Sequence, residues 1–149
     1  MSPELDEKLV KKYPEIFRNR YGDMTTTCMC WGFECGNGWY NLIDRLCSHL
    51  QFQTNNNNSH SNEGRNPQIV ASQVKEKFGG LRFYVESATE RQYAVISFAE
   101  ALSYYICEKC GSMDNIGITQ GWLRTLCEKC HDPESNWKIH KEDETNNQI

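Results

Sequence analysis

A chain of 149 residues has room for one domain and a small satellite lobe. Its formal net charge of −4 argues against a duplex-DNA partner, which leaves a basic footprint, but still allows a local patch for a small anion. No apolar run approaches the roughly 18 residues needed to cross a bilayer, and MSPELDEKLVKKYPEIF has no apolar signal core. The expected setting is therefore a reducing cytoplasm, without a membrane.

Ser2-Pro3-Glu4 reads as a helix start, with a capping hydroxyl, proline at the first helical position and acid in the first turn. Leu5, Leu9 and Val10 give its apolar stripe. Lys8, Lys11 and Lys12 fall near its carboxyl end, either as an anion patch or as a solvated helix end. Pro14 closes the helix and opens a second short one through Ile16 and Phe17.

Thr25 to Tyr40 is dense in cysteine, glycine and aromatic residues. Gly36-Asn37-Gly38 stands just before an amphipathic helix with Leu42, Ile43, Leu46, Cys47 and Leu50 on one face. Glycines in that place let backbone N–H groups turn toward an anion, but a plain tight turn fits equally, because the rest of a phosphate-loop signature is missing. Cys28, Cys30, Cys35 and Cys47, with His49, could hold a second metal. Their spacing matches no knuckle pair, and buried thiols suit it better.

Residues 53–67, rich in asparagine, read as a flexible loop that includes His60. After it, Gln68 to Glu86 predicts a β-hairpin turning at Gly79-Gly80, with Leu81, Phe83 and Val85 inward. Lys75, Lys77, Arg82 and Tyr84 would share the exposed surface. Cations mixed with rings suit a planar anionic ligand, and equally an edge protected against aggregation. Thr89 caps a helix expected to run to about Ile106, with Val95, Phe98, Ala99, Leu102, Tyr105 and Ile106 as its apolar stripe.

Cys107 to Cys130 reads CEKCGSMDNIGITQGWLRTLCEKC, a C-x2-C-x16-C-x2-C pattern. Two such knuckles bring four thiolates to one tetrahedral ion, so Cys107, Cys110, Cys127 and Cys130 are the expected ligands of a structural zinc ribbon. Redox pairs and free buried thiols are the alternatives, and His131 could replace Cys130. Four sulfur ligands leave no position open for water, so this metal would not be catalytic. Trp122 and Arg124 are expected on the returning strand, sharing a face that could clamp a phosphate or base, or simply packing as a cation–π pair.

The expected organisation is α+β: a domain over 1–106, a zinc ribbon over 107–131 packed on it, and a mostly disordered tail over 132–149. No nucleophile–base pair, open metal site or deaminase motif stands out, so a non-enzymatic protein is expected. The strings KYPEIFRNRYGDM, CMCWGFECGNGWYNLIDRLC, QVKEKFGGLRFYVE, AEALSYYICEKCG and GWLRTLCEKC resemble a family of small bacteriophage proteins. The resemblance spans most of Lys12 to Cys130. It implies a viral origin and action in the host cytoplasm, by countering host defences through binding a protein or sequestering a nucleotide signal. It transfers no catalytic residues.

The expectation is thus a nucleotide-type ligand held by Lys75, Lys77, Arg82, Tyr84, Trp122 and Arg124. The alternatives are an inhibitor of a host defence protein, a single-stranded nucleic-acid binder that the acidic balance disfavours, and a metal enzyme built on the Cys28–Cys47 cluster. Homo-oligomerisation is left open.

Overall fold

The computed structural model describes residues 1–56 and 66–140. Its architecture is α+β, with three helices and two three-stranded sheets. Helix α1 (Pro3–Lys12) carries proline in its first turn and lysines in its last, as its sequence requires. Beside Leu9 its inward face also holds Asp6, which pairs with Arg20 at 2.9 Å. The segment after Pro14 forms successive turns instead of a second helix, yet Ile16 and Phe17 are fully buried. Lys11 and Lys12 are not a free anion patch. Lys11 pairs with Glu7 at 2.7 Å, and Lys12 with the buried Asp44 at 2.6 Å.

Strand β1 (Phe33–Glu34) runs parallel to β2 (Ala71–Lys77), which pairs antiparallel with β3 (Gly80–Val85), giving the order β1-β2-β3. Leu81 and Phe83 point inward as the alternation predicts, and Val85 is half-buried. The hairpin register pairs Lys77 with Gly80, so the turn is Phe78-Gly79 and not Gly79-Gly80. Both turn residues have positive φ, 55° at Phe78 and 81° at Gly79, the backbone of a two-residue hairpin turn that follows strand twist.

Helix α2 (Tyr40–Asn55) buries Ile43, Leu46, Cys47 and Leu50, the expected face, and extends three residues into the stretch read as a loop. Residues 57–65 of that stretch, His60 among them, lie outside the described residues. These elements close over a core that includes Leu9, Met29, Trp39, Val74 and Ile69, with Phe17 set edge-on to Phe33 at 4.8 Å.

Helix α3 (Glu90–Ser103) begins with a full capping box, Thr89 and Gln92 exchanging bonds. It ends at Ser103, and its buried stripe is Gln92, Ile96, Ala99 and Ser103. Phe98 and Tyr105, expected in the core, are 69% and 59% exposed. The reason lies in the sheet. α3 runs along the outer edge of β3, where Leu81 N–H donates to the Ser103 hydroxyl at 2.8 Å and Phe83 N–H to the Glu100 carboxylate at 2.8 Å. A helix that closes a strand edge needs hydroxyl and carboxylate there, so polar groups displace rings from the inner face.

The second sheet has the order β5-β4-β6, from β4 (Ile116–Thr119), β5 (Thr125–Cys127) and β6 (Trp137–Ile139). β6 lies in the segment expected to be a disordered tail. Trp137 docks it by donating Nε1–H to Leu126 O at 2.9 Å, while residues 141–149 lie outside the described residues. No helix among the described residues is long and apolar enough to cross a membrane.

Candidate functional site

The four cysteines of the CEKC repeats converge. Their sulfurs all lie within 4.8 Å of one another, and Cys110 Sγ stands 3.7 Å from Cys127 Sγ. Four thiolates at about 2.3 Å around a tetrahedral ion sit about 3.8 Å apart, so the set fits one metal. Each knuckle is a tight turn: Gly111 N–H donates to Cys107 O at 2.8 Å, and Cys130 N–H to Cys127 O at 2.9 Å. Burial raises the Cys107 thiol, but backbone N–H groups of Cys127, Cys110 and Lys109 outweigh it and bring it down to about 7. At Cys130 burial dominates and pushes the thiol up to about 12. A bound cation would replace both protons. His131 is occupied elsewhere, stacked on Trp137 at 4.5 Å with the rings 3° from parallel.

The amino-terminal cysteines do not assemble in this way. Cys28 is exposed, whereas Cys35 and Cys47 are buried in the core. Burial pushes Cys35 up to about 12 and Cys47 well above its ordinary value, so both are protonated packing residues. Among the described residues, the CEKC set is the one group of His, Cys, Asp or Glu arranged to hold a metal.

The first knuckle is docked on the Gly36-Asn37-Gly38 turn, which does present N–H groups to an anion. The anion is the chain's own. Gly36 N–H donates to Glu108 Oε1 at 2.9 Å, and Gly38 N–H to Glu108 O at 2.8 Å. The other Glu108 oxygen receives Arg124 Nε–H at 3.1 Å. A Cβ on Gly38 would lie 2.1 Å from Cys107 O, so the glycines are there for close backbone approach. Trp39, fully buried beneath, donates Nε1–H to Ile106 O at 2.9 Å. A second joint lies at the hairpin tip, where the Thr125 hydroxyl donates to Gly79 O at 2.6 Å.

The six residues expected to bind a ligand divide into groups. Lys75 lies over the Tyr84 ring at 5.9 Å on the open face of the hairpin. Arg82 shares that face, but donates to Tyr104 Oη at 3.1 Å and to Leu81 O at 2.7 Å. Tyr84 lines a depression of 520 Å³ with Met24 to Cys28. Lys77 and Trp122 line a groove of 290 Å³ between the hairpin tip and the second sheet, together with Phe78, Gly121 and Leu123. Trp122 and Arg124 line a wider cleft of 610 Å³ with Lys109 and Thr119. These two lie in the β4–β5 loop, not on the returning strand. The loop is pinned because the Thr119 hydroxyl donates to Trp122 O at 2.6 Å and accepts from Arg124 N–H at 2.8 Å.

Trp122, 80% exposed, is thus the wall shared by a groove that Glu76 also lines and a cleft lined by Lys109, Asp132 and the Glu108-paired Arg124. Across the groove stands Phe78, 66% exposed. A bulky residue at positive φ is unusual, since glycine or asparagine would turn the chain without strain. Apart from Lys77, whose ammonium stands 5.4 Å from the ring, no contact of the ring with the fold stands out among the described residues, and it is a candidate contact for a ligand. The sequence reading set Phe78 among the rings near the turn but left it out of the site, and it placed the turn one residue late. No protein-family model matches this chain, and neither the curated proteins nor the solved structures yield a match.

Proposed function

We propose that this protein is a non-enzymatic binding protein, built on a structural zinc ribbon, that captures a nucleotide-type ligand around Trp122. The observation that carries the reading is the double role of that indole. Its groove side, with Phe78 and Leu123, offers faces on which a planar base stacks. Its cleft side offers Arg124 and Lys109 to phosphate oxygens, and Lys77 stands over Phe78 with its ammonium 5.4 Å from the ring. Zinc is the metal proposed because closed four-thiolate tetrahedra between paired Cys-x-x-Cys knuckles suit it. The resemblance to bacteriophage proteins supports the rest of the reading: a protein acting in the host cytoplasm by sequestering a nucleotide signal of antiviral defence.

The test is thermal unfolding of the zinc-loaded protein, with Trp fluorescence, against linear and cyclic nucleotides. A ligand at about 100 times its Kd adds about 2.7 kcal/mol, or roughly 5–10 °C at this size. The expected result is a shift of that size with one class of nucleotide, unaltered on recovery and lost in Trp122→Ala. A flat panel would remove the nucleotide reading and favour the second one. That reading, inhibition of a host defence protein, is favoured by the groove itself, since two exposed rings flanking an apolar slot suit a protein side chain. It predicts a stoichiometric complex that Phe78→Asn and Trp122→Ala both abolish.

A further inference from the structure

The groove between the hairpin tip and the β4–β5 loop has an acid in its wall. Glu76, half-buried on β2, lines it together with Phe78, Trp122 and Leu123. Its Oε1 accepts the Gly79 N–H at 2.7 Å, which fixes the carboxylate beside the Phe78-Gly79 turn. Among the described residues no cation pairs with it. Lys77, next in the chain, holds its ammonium over the Phe78 ring instead. The turn bond needs a single acceptor, which a glutamine would supply, whereas a carboxylate has about four lone-pair sites. A half-buried charge without a cation costs desolvation, and the turn bond uses only part of this one. Neither undescribed segment leaves the fold beside the groove. Asn66 is bonded to Gln53 O at the Ala71 end of β2, and β6 runs from Trp137 beside Thr119 away to Ile139 beside Gly117.

That wall sorts the parts of a nucleotide. A carboxylate repels phosphate, so the phosphates belong on the other side of Trp122, with Lys109 and Arg124. At 290 Å³ the groove lies at the small end of ligand pockets, which begin at about 300 Å³. It suits a base between the rings better than a whole nucleotide, and the edge of that base meets Glu76. An ionised carboxylate only accepts hydrogen bonds, so the base has to present donors. Adenine and cytosine each set a ring-nitrogen acceptor beside the amino group, and uracil flanks its single N–H with carbonyls. Of the common bases only guanine presents two adjacent donors, the ring N–H and the 2-amino group, which match the fork of a carboxylate. We infer that Glu76 is the specificity-determining residue of the Trp122 site and selects guanine nucleotides. The inference rests on the nucleotide reading above and adds the base to it.

Isothermal titration of the zinc-loaded full chain with GTP, ITP, ATP and UTP tests this, because GTP and ITP differ only in the 2-amino group. GTP should bind about 10-fold or more tighter than ITP, the worth of one hydrogen bond to a charged acceptor. ATP and UTP should be weaker than ITP. Glu76→Gln keeps an acceptor for the Gly79 N–H but sets an amide donor against the base. It should cost GTP about 10-fold or more in affinity and bring GTP and ITP within about 2-fold of each other. A residue that only held the turn would weaken all four nucleotides alike, so that result would overturn the inference. Nucleotide binding with no preference for GTP over ITP in the wild type would overturn guanine selection and leave the nucleotide reading standing. A preference that survives in Glu76→Gln, with far-UV circular dichroism unchanged, would take the role away from Glu76. Failure of all four to bind the wild type would overturn the nucleotide reading and this inference with it.

Discussion

The two sheets are held together by different physics. Around the first, apolar side chains from Leu9 to Ala99 form one continuous core, and burial at about 25 cal/mol per Å² is the main stabilising term. Around the second, the buried cluster is Cys107, Ile116, Leu126 and Cys127, with Trp137 and Cys130 packed on it. Half of that small cluster is metal-ligand sulfur. A lobe of this size gains little from burial alone, and under the proposed function cross-linking by a metal, with hydrogen bonds to its neighbour, would supply the rest. The first sheet has a core of its own, while the second has four converging cysteines that could hold an ion, and a docking site.

The largest test of this contrast is removal of the metal. Chelation, or Cys127→Ser, should expose the amides of β4, β5 and β6 to hydrogen exchange while those of β2 and β3 stay protected. Structural zinc contributes about 10–16 kcal/mol of apparent binding free energy, so the effect on the lobe should be all-or-none. Equal loss of protection in both sheets would show that the lobe holds up the domain as well.

Gly38→Ala strikes the joint instead of the metal. Its Cβ would meet Cys107 O and Gly111 N inside van der Waals contact, forcing the knuckle off its seat at a cost of about 3 kcal/mol. Urea unfolding should turn from one transition into two, the lobe melting first.

Acid probes the first region through Asp44; it also protonates the thiolates and would release a bound metal, so the comparison with Asp44→Asn isolates this carboxyl. Burial raises the Asp44 carboxyl, but bonds from Lys12, Arg45 and Tyr13 outweigh it and hold it down at about 2, from an ordinary 3.8. A depressed carboxyl contributes stability that is present above its unfolded value and lost as pH falls through its folded one. The wild type should therefore lose stability between about pH 4 and 2. Asp44→Asn should be less stable at neutral pH and flatter across that window, by denaturant titration.

The smallest expected effect has the opposite sign. Phe78→Asn should relieve the left-handed turn and raise stability by about 1 kcal/mol, detectable as a melting temperature higher by a few degrees. A neutral or destabilising result would mean that the ring packs for the fold and not for a partner.

What could be read in the chain follows the range of the interactions. Cysteine spacing is local, so the CEKC pairs announced their convergence. The α2 face was equally legible, because Ile43, Leu46, Cys47 and Leu50 point one way by helical period alone. The α3 face was not: Phe98 and Tyr105 are as apolar as any core residue, and only the edge of β3 explains why Ser103 is buried, while Gln92 is buried by the cap and its bond to Pro67 O. Glu108 gave no signal, since its partners Gly36 and Gly38 are far away in sequence. β6 was missed because a three-residue strand amid polar residues has no period to detect. The ligand residues lay in between. Trp122 and Arg124, expected on a strand, line one cleft from a loop, while Arg82 is engaged with Tyr104.

The bond from the Thr125 hydroxyl to Gly79 O has a mechanical consequence. It ties the hairpin tip to the second sheet beside the loop that carries Trp122, so under the proposed function the rings of Phe78 and Trp122 would act as the fixed jaws of a gauge and not as hinged fingers. A slot of set width loses little entropy on occupation and selects its occupant by thickness. Thr125→Val, which removes the clasp but keeps the shape, should leave the jaws free to spread and blunt that selection.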